Sequence, residues 1–520
     1  MTCTPPDSES LPELTDARTS RRDFLLDAGH MVGAAALAAP FALLTGYQQT
    51  AMAHVSEGSA VRPNWDQLER NLSGNLLRPD GAAYAEAIKI WNLRYASTRP
   101  AGVAMVADSK DIATAIAWAR DNRVDLITRS GGHSYAGYST TPGLVINLND
   151  MTKVTLDRAT GNLTTFGAAK NKDVAAAGRL HGRALPGGQC PTVGISGFVL
   201  GGGLGFHMRQ HGLGIDSLLS TEMVTEDGEC LQLSDKEYPD LFWALRGGGG
   251  GNFGVNTSFT FRTFPVPEQA TVFSLSWEGD ACVQAFLAFQ DVLLVAPNAL
   301  GAIAEFSASR GRQGAVIPKF EIMGQIIGQQ DAAHKLFAPV IAAAKPKTTL
   351  IETMSFWDAK SWLSEESNAP KPFAERSRFH PKPVTEDGVA AILDALAKVP
   401  ILGSKQHVES SFFAWGGAVA EVPATATAFV HRNDLWLQTF NCSWGPNDPQ
   451  PEIDRLMAWQ NDFYNAMKPF ASDRAFQNFA DPQLEHPLQS YYGENLKRLI
   501  DVKKKYDRNE VFTFAQSIKG

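Results

Sequence analysis

A two-lobed α+β fold is predicted for this chain of 520 residues. The length exceeds one ordinary domain, so two lobes with separate hydrophobic cores are expected. Short strand-like runs alternate with helix-like runs as far as Pro265-Val-Pro267, where the pattern changes. Beyond this point strands alternate with longer helices, which is typical of a sheet covered by helices. The second lobe is therefore expected to be an antiparallel sheet with a helical cover.

The composition is that of a soluble globular protein, with 44% hydrophobic residues, 20% charged residues and a net charge of −8. Because the net charge is negative, it does not indicate a nucleic-acid partner. No Cys or His cluster has the spacing of metal ligands, so no metal site is predicted. A disulfide among Cys230, Cys282 and Cys442 is left open, because an oxidising compartment would permit it.

Residues 1–53 are predicted to be a twin-arginine signal peptide. Ser20-Arg-Arg-Asp-Phe-Leu-Leu26 precedes an apolar run at 31–44, and Ala51-Met-Ala53 is a small-x-small cleavage site. The apolar run is short for a membrane span, although an amphipathic helix or an anchor is the alternative. We expect export through the twin-arginine translocon to the periplasm or the medium, with no membrane span after signal cleavage.

The expected elements of the first lobe follow from apolar periodicity and turn residues. A helix-like stretch covers 79–91, and Ser109 is expected to cap a second helix. Strands are predicted at 124–128, 144–148, 154–156, 163–166 and 259–264, and a helix at 172–181. In the second lobe the predicted longer helices include 280–294 and 331–344.

Two nucleophilic side chains lie between glycines. His133 is part of Arg129-Ser-Gly-Gly-His-Ser134, and Cys190 is part of the run 187–197, which continues into Gly201-Gly-Gly-Leu-Gly205. Glycine lets the backbone approach a bound group closely. Alone, the histidine would be an ordinary surface residue and the cysteine a small buried one. Together they indicate a large phosphate-bearing cofactor that is held by backbone and bonded covalently.

A third glycine segment, 240–254, contains five consecutive glycines before Asn252. A flexible spacer is the alternative for this segment, because such a run costs backbone entropy.

The stretch 101–267 resembles the p-cresol methylhydroxylase type of FAD-binding domain, in the vanillyl-alcohol oxidase superfamily. The His133 and Cys190 motifs resemble those of berberine-bridge-enzyme-like flavoprotein oxidases. This resemblance implies a bicovalent FAD, joined through the flavin 8α-methyl to His133 and through flavin C6 to Cys190. The further cofactor-binding positions that it implies are Arg129, Ser130, Gly131, Gly132, Ser134, Val193, Gly194, Gly197, Gly201, Gly202, Gly203, Gly205, Asn252 and Val255.

The resemblance also implies a domain division. Residues 80–267 would bind FAD, 268–474 would bind substrate, and 475–520 would form a closing segment that returns to the FAD lobe. In this segment Leu496, Leu499 and Val502 share an apolar stripe, and Lys503-Lys-Lys505 is expected to be a solvated face. The family usually has Val-Val-Thr or Ile-Val-Thr at 255–257, and Asn256 departs from this pattern, with a minor effect expected.

The activity implied is that of an FAD-linked oxidase. It would remove a hydride from an alcohol or activated C–H of a small organic substrate, an oligosaccharide or a secondary metabolite, and O2 would reoxidise the flavin to give H2O2. Val193 occupies the position of the family's oxygen gate, where a small residue favours an oxidase. A dehydrogenase with another acceptor and a catalytically silent carbohydrate-binding flavoprotein are the alternatives.

The catalytic base is not assigned by the sequence. Many family members carry Tyr-x-Asn-Tyr before the closing segment, and this chain has Phe476-Gln-Asn-Phe479, which lacks the phenol. The weak candidates to replace it are Tyr491, Tyr492, Glu409 and His431. Core packing is favoured over substrate stacking for the second-lobe tryptophans Trp277, Trp357, Trp362, Trp415, Trp436 and Trp444.

Overall fold

The computed structural model describes residues 63–148, 150–310, 316–364, 369–400 and 406–520, all within one compact unit. This part of the chain has the expected two-lobed α+β fold. The predicted signal peptide lies outside the described residues. No helix in the described ranges combines the length and apolarity that crossing a bilayer requires.

The first lobe contains two main sheets. Strands β2, β4 and β3 run parallel with β1 antiparallel at the edge, and β5-β6-β10-β8-β9 form an antiparallel sheet. The strands are β1 Asn75–Leu77, β2 Gly102–Met105, β3 Leu126–Arg129, β4 Leu144–Asn147, β5 Val154–Leu156, β6 Asn162–Phe166, β7 Arg183–Ala184, β8 Leu218–Val224, β9 Cys230–Ser234, β10 Val255–Arg262 and β11 Phe264–Pro265. The helices are α1 Trp65–Asn71, α2 Tyr84–Ala87, α3 Ser109–Asn122, α4 Asn171–Arg179, α5 Ile195–Leu200, α6 Met208–His211 and α7 Pro239–Leu245.

The predicted helix at 79–91 is wrong, because only α2 is helical there. The chain beyond α2 is held instead by the His133 loop, since Trp91 N donates to Gly132 O at 3.1 Å. Asp108 rather than Ser109 caps α3, and its carboxylate accepts from the backbone N–H groups of Lys110 and Asp111, each at 2.9 Å.

The second lobe is a seven-stranded sheet, antiparallel throughout, in the order β15-β12-β14-β13-β17-β18-β16. Its strands are β12 Gln269–Glu278, β13 Leu300–Arg310, β14 Val316–Ile326, β15 Thr348–Ser355, β16 Phe373–His380, β17 His407–Ala414 and β18 Trp436–Ser443. Its helices are α8 Ala281–Val295, α9 Gln330–Ala343, α10 Phe356–Trp362, α11 Glu386–Ala397, α12 Ala418–Glu421 and α13 Gln450–Ala466.

The two faces of this sheet pack differently. Phe306, Phe412 and Trp436 join the core formed with α8, α9, α11 and α13. Residues of the other face, including Phe379 and Leu437, pack with first-lobe side chains in a second core. The prediction of core packing is confirmed for four tryptophans, which are buried: Trp277, Trp415, Trp436 and Trp444. The other two, Trp357 and Trp362, are partly exposed.

The chain closes with α14 Pro487–Tyr492 and α15 Leu496–Tyr506. Lys503 contradicts the prediction of a solvated lysine face, because it is fully buried and ion-paired to the equally buried Asp507. Lys504 and Lys505 are exposed as expected.

The open question of a disulfide is answered for the described cysteines, which are all thiols. Cys230 is exposed, whereas burial raises the pKa of Cys282 and of Cys442 to about 12.

Candidate active site

The two glycine-framed loops lie against each other. A Cβ on Gly131 would come within 2.4 Å of Gly194 N, and one on Gly194 within 2.3 Å of Ser130 Oγ, so only glycine allows this approach. Thr192, two residues beyond Cys190, forms a hydrogen bond of 3.0 Å through Oγ1 with Nε2 of His133. The fold thus brings together the two motifs, which are 57 positions apart in the sequence.

His133 is held as a neutral imidazole. Its ring stacks on Trp91 with the centroids 4.2 Å apart and an angle of 20° between the planes. Burial, aided by the positive charge of Lys170, lowers the pKa of His133 to about 4. A neutral imidazole keeps a nitrogen lone pair at physiological pH, as bond formation to an electrophilic carbon requires.

Cys190 lies in a loop that α4 supports. Its carbonyl accepts from Asn171 Nδ2 at 3.1 Å, and Asn171 N donates to Val193 O at 3.0 Å. The cysteine is partly exposed and belongs to no disulfide of the described chain. Through Thr192, the same loop contacts His133.

The predicted binding residues of the His133 loop make defined contacts. Arg129 is buried and donates to Ser139 O at 2.7 Å and to Ala87 O at 2.6 Å. Ser130 Oγ donates to Gly167 O, and Ser134 Oγ accepts from Tyr138 N. Three buried polar atoms here have no partner among the described residues: Arg129 Nη2, Ser139 Oγ and Thr140 Oγ1. Such atoms fit a loop that binds a further polar group.

Some of the glycines after Cys190 are required by close contacts or by positive φ, and one borders open space. A Cβ on Gly201 would collide with Asn478 Oδ1 at 2.1 Å, and one on Gly205 with Gly187 O at the same distance. Gly202 and Gly203 have φ of +140° and +83°, where other residues are strained. In contrast, a Cβ on Gly197 would meet nothing within 4 Å, so this position offers space to a bound group.

The five-glycine run is a structured turn, and the spacer alternative is wrong. The carbonyl of Leu200, at the end of α5, accepts from Gly247 N at 3.1 Å and from Gly249 N at 2.9 Å. Both glycines have positive φ, at +114° and +82°. The run therefore closes the end of α5, beside Gly201.

The closing segment fixes this turn. Asn252 donates from Nδ2 to Gly248 O at 2.9 Å and accepts at Oδ1 from Ile518 N at 2.9 Å. Lys503 Nζ donates to Asn252 O and to Phe512 O, each at 2.7 Å. The side chain of Asn252 therefore has a structural role in the described contacts. Val255, the last predicted cofactor position, is buried in a first-lobe core.

Three of the four base candidates are buried in the core. Tyr491 Oη accepts from Asp481 N and donates to Gln516, and burial raises its pKa well above the ordinary value. Tyr492 Oη donates to Gly248 O at 2.8 Å, and burial also raises its pKa. His431 is fully buried and stacks on Phe379, and burial lowers its pKa well below the ordinary value.

Glu409 is the candidate on the sheet. It lies on β17 with its side chain 28% exposed, and Oε2 is 2.7 Å from His407 Nε2. Alternation along a strand puts Glu409 on the same face as Phe413, away from the helices that pack on Phe412.

Aromatic contacts join this face to the His133 loop. Tyr135, two residues after His133, stacks on Phe479 at 5.1 Å and meets Phe373 edge-on at 5.0 Å. Phe479 also contacts Phe413 at 6.0 Å. Phe373 pairs with Ser443, which pairs with His407. Phe479 thus contacts the sheet at Phe413, and Tyr135 contacts it at Phe373, on the His407 side of Glu409. The candidate active site lies between this face of the sheet and the loops.

Sequence reasoning missed His407, Tyr135 and Lys503. Tyr135 directly follows the glycine motif, and this position could have indicated that it belongs to the site. His407 becomes visible only once β17 is known, because strand alternation then puts it beside Glu409. No group of three or more His, Cys, Asp or Glu side chains in the described ranges is arranged to hold a metal ion.

Comparisons with known proteins agree with this geometry. Residues 100–234 match the FAD binding domain family, and residues 475–519 match the berberine and berberine-like family. The chain is 31% identical to the FAD-linked oxidoreductase YgaK of Bacillus subtilis, over 86% of this chain and 97% of the relative. It is 29% identical to the glucooligosaccharide oxidase of Sarocladium strictum, over 91% and 99% of the two chains.

A solved structure concerned with the 6-S-cysteinyl, 8α-N1-histidyl FAD of Acremonium strictum glucooligosaccharide oxidase is also similar. It has a TM-score of 0.77 and 26% identity, and the match covers 86% of this chain and 97% of that one.

Proposed function

Because the chain belongs to the berberine-bridge-enzyme-like family of FAD-linked oxidoreductases, we propose that it is an exported oxidase with a bicovalent FAD. It would oxidise a hydroxyl group of a small organic molecule, with O2 as the electron acceptor. The observation that carries this proposal is the contact of the His133 and Cys190 loops through Thr192 and the glycines.

The attachment proposal assigns one bond to each loop. His133 would hold the cofactor through its neutral ring, and Cys190, a partly exposed residue, would hold it through its sulfur. When bound, FAD accepts a hydride from the substrate carbon. The space at Gly197 and the unpartnered polar atoms of the Arg129 loop support a bound group between these loops. The similar glucooligosaccharide oxidase has the cysteinyl and histidyl linkages that we propose here.

Glu409 is proposed as the proton acceptor. It is the one carboxylate among the four candidates, and it lies on the sheet face that Tyr135 and Phe479 reach. The substrate hydroxyl would give its proton to this carboxylate as the neighbouring carbon loses its hydrogen with both electrons. Positioned bases of this kind contribute about 10²- to 10⁴-fold to a rate.

The relatives support a substrate class, and Val193 supports an electron acceptor. Relatives of this chain include a glucooligosaccharide oxidase and a carbohydrate oxidase, which favours an oligosaccharide over a secondary metabolite. The small side chain of Val193, next to the Thr192 contact, supports O2 rather than another acceptor. The twin-arginine pattern before residue 53 supports export of the folded, cofactor-loaded protein.

The experiment uses mature holoenzyme. Cellobiose, maltose, xylobiose, simple alcohols and phenolic alcohols are each mixed with it without oxygen, and loss of the yellow flavin absorbance is followed. We expect an oligosaccharide to bleach the flavin and to give oxygen uptake with H2O2 when air is admitted. Reduction of a dye without oxygen uptake would show a dehydrogenase. Bleaching by dithionite but by no substrate would show a catalytically silent binding protein.

A further inference from the structure

His407 and Glu409 form a hydrogen-bonded pair at the beginning of β17. Nε2 and Oε2 are 2.7 Å apart, and the two residues are separated by one position, so their side chains leave the same face of the strand. The side chain of His407 is 49% exposed and that of Glu409 is 28% exposed. The imidazole therefore lies nearer to solvent and the carboxylate lies deeper.

Three charged groups face the imidazole, namely Glu409, Glu305 and Lys371. Removal from water opposes protonation of His407, and so does Lys371. The hydrogen bond to Glu409 and the charges of the two glutamates outweigh both, so the pKa of His407 is raised above its ordinary value of 6.5.

The hydrogen bond to His407 restricts how the Glu409 carboxylate can turn. Because Phe479 has no hydroxyl, it cannot share proton transfer with the glutamate.

We propose that His407 is a positioning residue, which orients Glu409 and sets the pH range in which this carboxylate accepts the substrate's proton. The inference rests on the proposed function, and it adds His407 to Glu409 as a second residue that serves proton transfer. In the step, the substrate O–H bond breaks and its proton binds the carboxylate of Glu409. The C–H hydrogen leaves with both electrons to the cofactor, and the carbinol carbon becomes a carbonyl carbon.

The sign of the pH effect follows from the charge of the imidazole. Below its pKa, His407 is positive and stabilises the glutamate anion, which makes Glu409 a weaker base. Above it, the imidazole is neutral and Glu409 is a stronger base. The rate of substrate oxidation should therefore rise with pH through an ionisation that belongs to the pair.

The kinetic test measures anaerobic flavin bleaching by cellobiose between pH 5 and pH 9. The wild-type rate should rise with pH through an ionisation above 6.5, because the pKa of His407 is raised. His407→Asn keeps a hydrogen-bond donor but cannot titrate, so this rise should disappear. His334→Asn is the matched control, because His334 lies on the exposed surface of α9, where it contacts Gln330. A rise that persists in His407→Asn would overturn the proposal.

The second readout needs no turnover. The His407 pKa is measured by NMR from its ring proton in the holoenzyme and in Glu409→Gln. Loss of the carboxylate should lower this pKa, whereas an unchanged value would overturn the proposal even if the enzyme is active. Should no substrate bleach the flavin, the oxidase assignment fails, and the titration still decides whether the two residues are coupled.

Discussion

The two sides of the candidate active site are built in different ways. On the loop side, His133 and Cys190 are presented by short glycine segments that contact each other directly. On the sheet side, Glu409 and His407 owe their position to the register of β17 within seven strands. The proposed attachment residues are therefore visible in local motifs, whereas long-range pairing is needed to single out Glu409 among the four candidate bases.

The largest expected effect concerns the loop side. In the double variant His133→Ala, Cys190→Ala, both proposed covalent bonds are lost, and acid denaturation should release all yellow colour into the supernatant. Each single variant should retain its colour with the precipitated protein, because one bond remains. The measurement is flavin absorbance in the two fractions.

Cys230→Ala is the matched control, because this cysteine is exposed and lies in β9. It should behave like the wild type. Wild-type protein that releases its colour in acid would contradict the covalent attachment altogether.

The second prediction compares two glycines of the loop side. Gly194→Ala puts a methyl group 2.3 Å from Ser130 Oγ, so the loops must separate, at a cost of about 1–3 kcal/mol in unfolding free energy. Gly197→Ala meets no protein atom within 4 Å and should change this free energy by about 0.5 kcal/mol or less. It should nevertheless lower the flavin content, because the methyl group enters the space proposed for the cofactor.

Urea unfolding measures the unfolding free energy of each variant, and flavin absorbance per mole of protein measures its flavin content. Full flavin content in Gly197→Ala would show that the cofactor lies elsewhere.

The sequence predicted the fold class and five of the eleven described first-lobe strands, because strand periodicity and turn residues act locally. It also predicted the two loops, because glycine is required wherever backbones approach this closely. Lys503 was mispredicted, since three successive lysines look solvated until the partner, Asp507, is placed. Tyr491 and Tyr492 look like candidate bases in the sequence, and only their tertiary hydrogen bonds show that they are occupied.

Lys503 offers a third prediction, which tests how the loop side is supported. Lys503→Met leaves the Asp507 carboxylate buried without its cation and should lower the unfolding free energy by about 3–5 kcal/mol. Lys504→Met, one residue further along and exposed, should change it by about 0.5 kcal/mol or less. Urea denaturation of the holoenzyme measures both, and equal losses would contradict a specific role of the buried pair.

The smallest effect is expected at the boundary of the two sides. Phe479→Tyr adds the phenol that many family members carry, in a ring that stacks on Tyr135 and contacts Phe413. It should restore part of the flavin-reduction rate that Glu409→Gln loses, and it should change the unfolding free energy by about 0.5 kcal/mol or less. Stopped-flow bleaching of the single and double variants measures this. No rescue would place the substrate hydroxyl away from residue 479.

The bond from Ile518 N to Asn252 Oδ1 sets an order of events during biogenesis. The turn that closes α5 cannot reach its final form until translation has passed residue 518. A nascent chain paused before that point would carry both proposed attachment residues and still lack the finished turn beside them. Flavin loading should therefore be a late maturation step, and trapping ribosome-bound chains of graded length would reveal when the yellow colour first becomes resistant to acid.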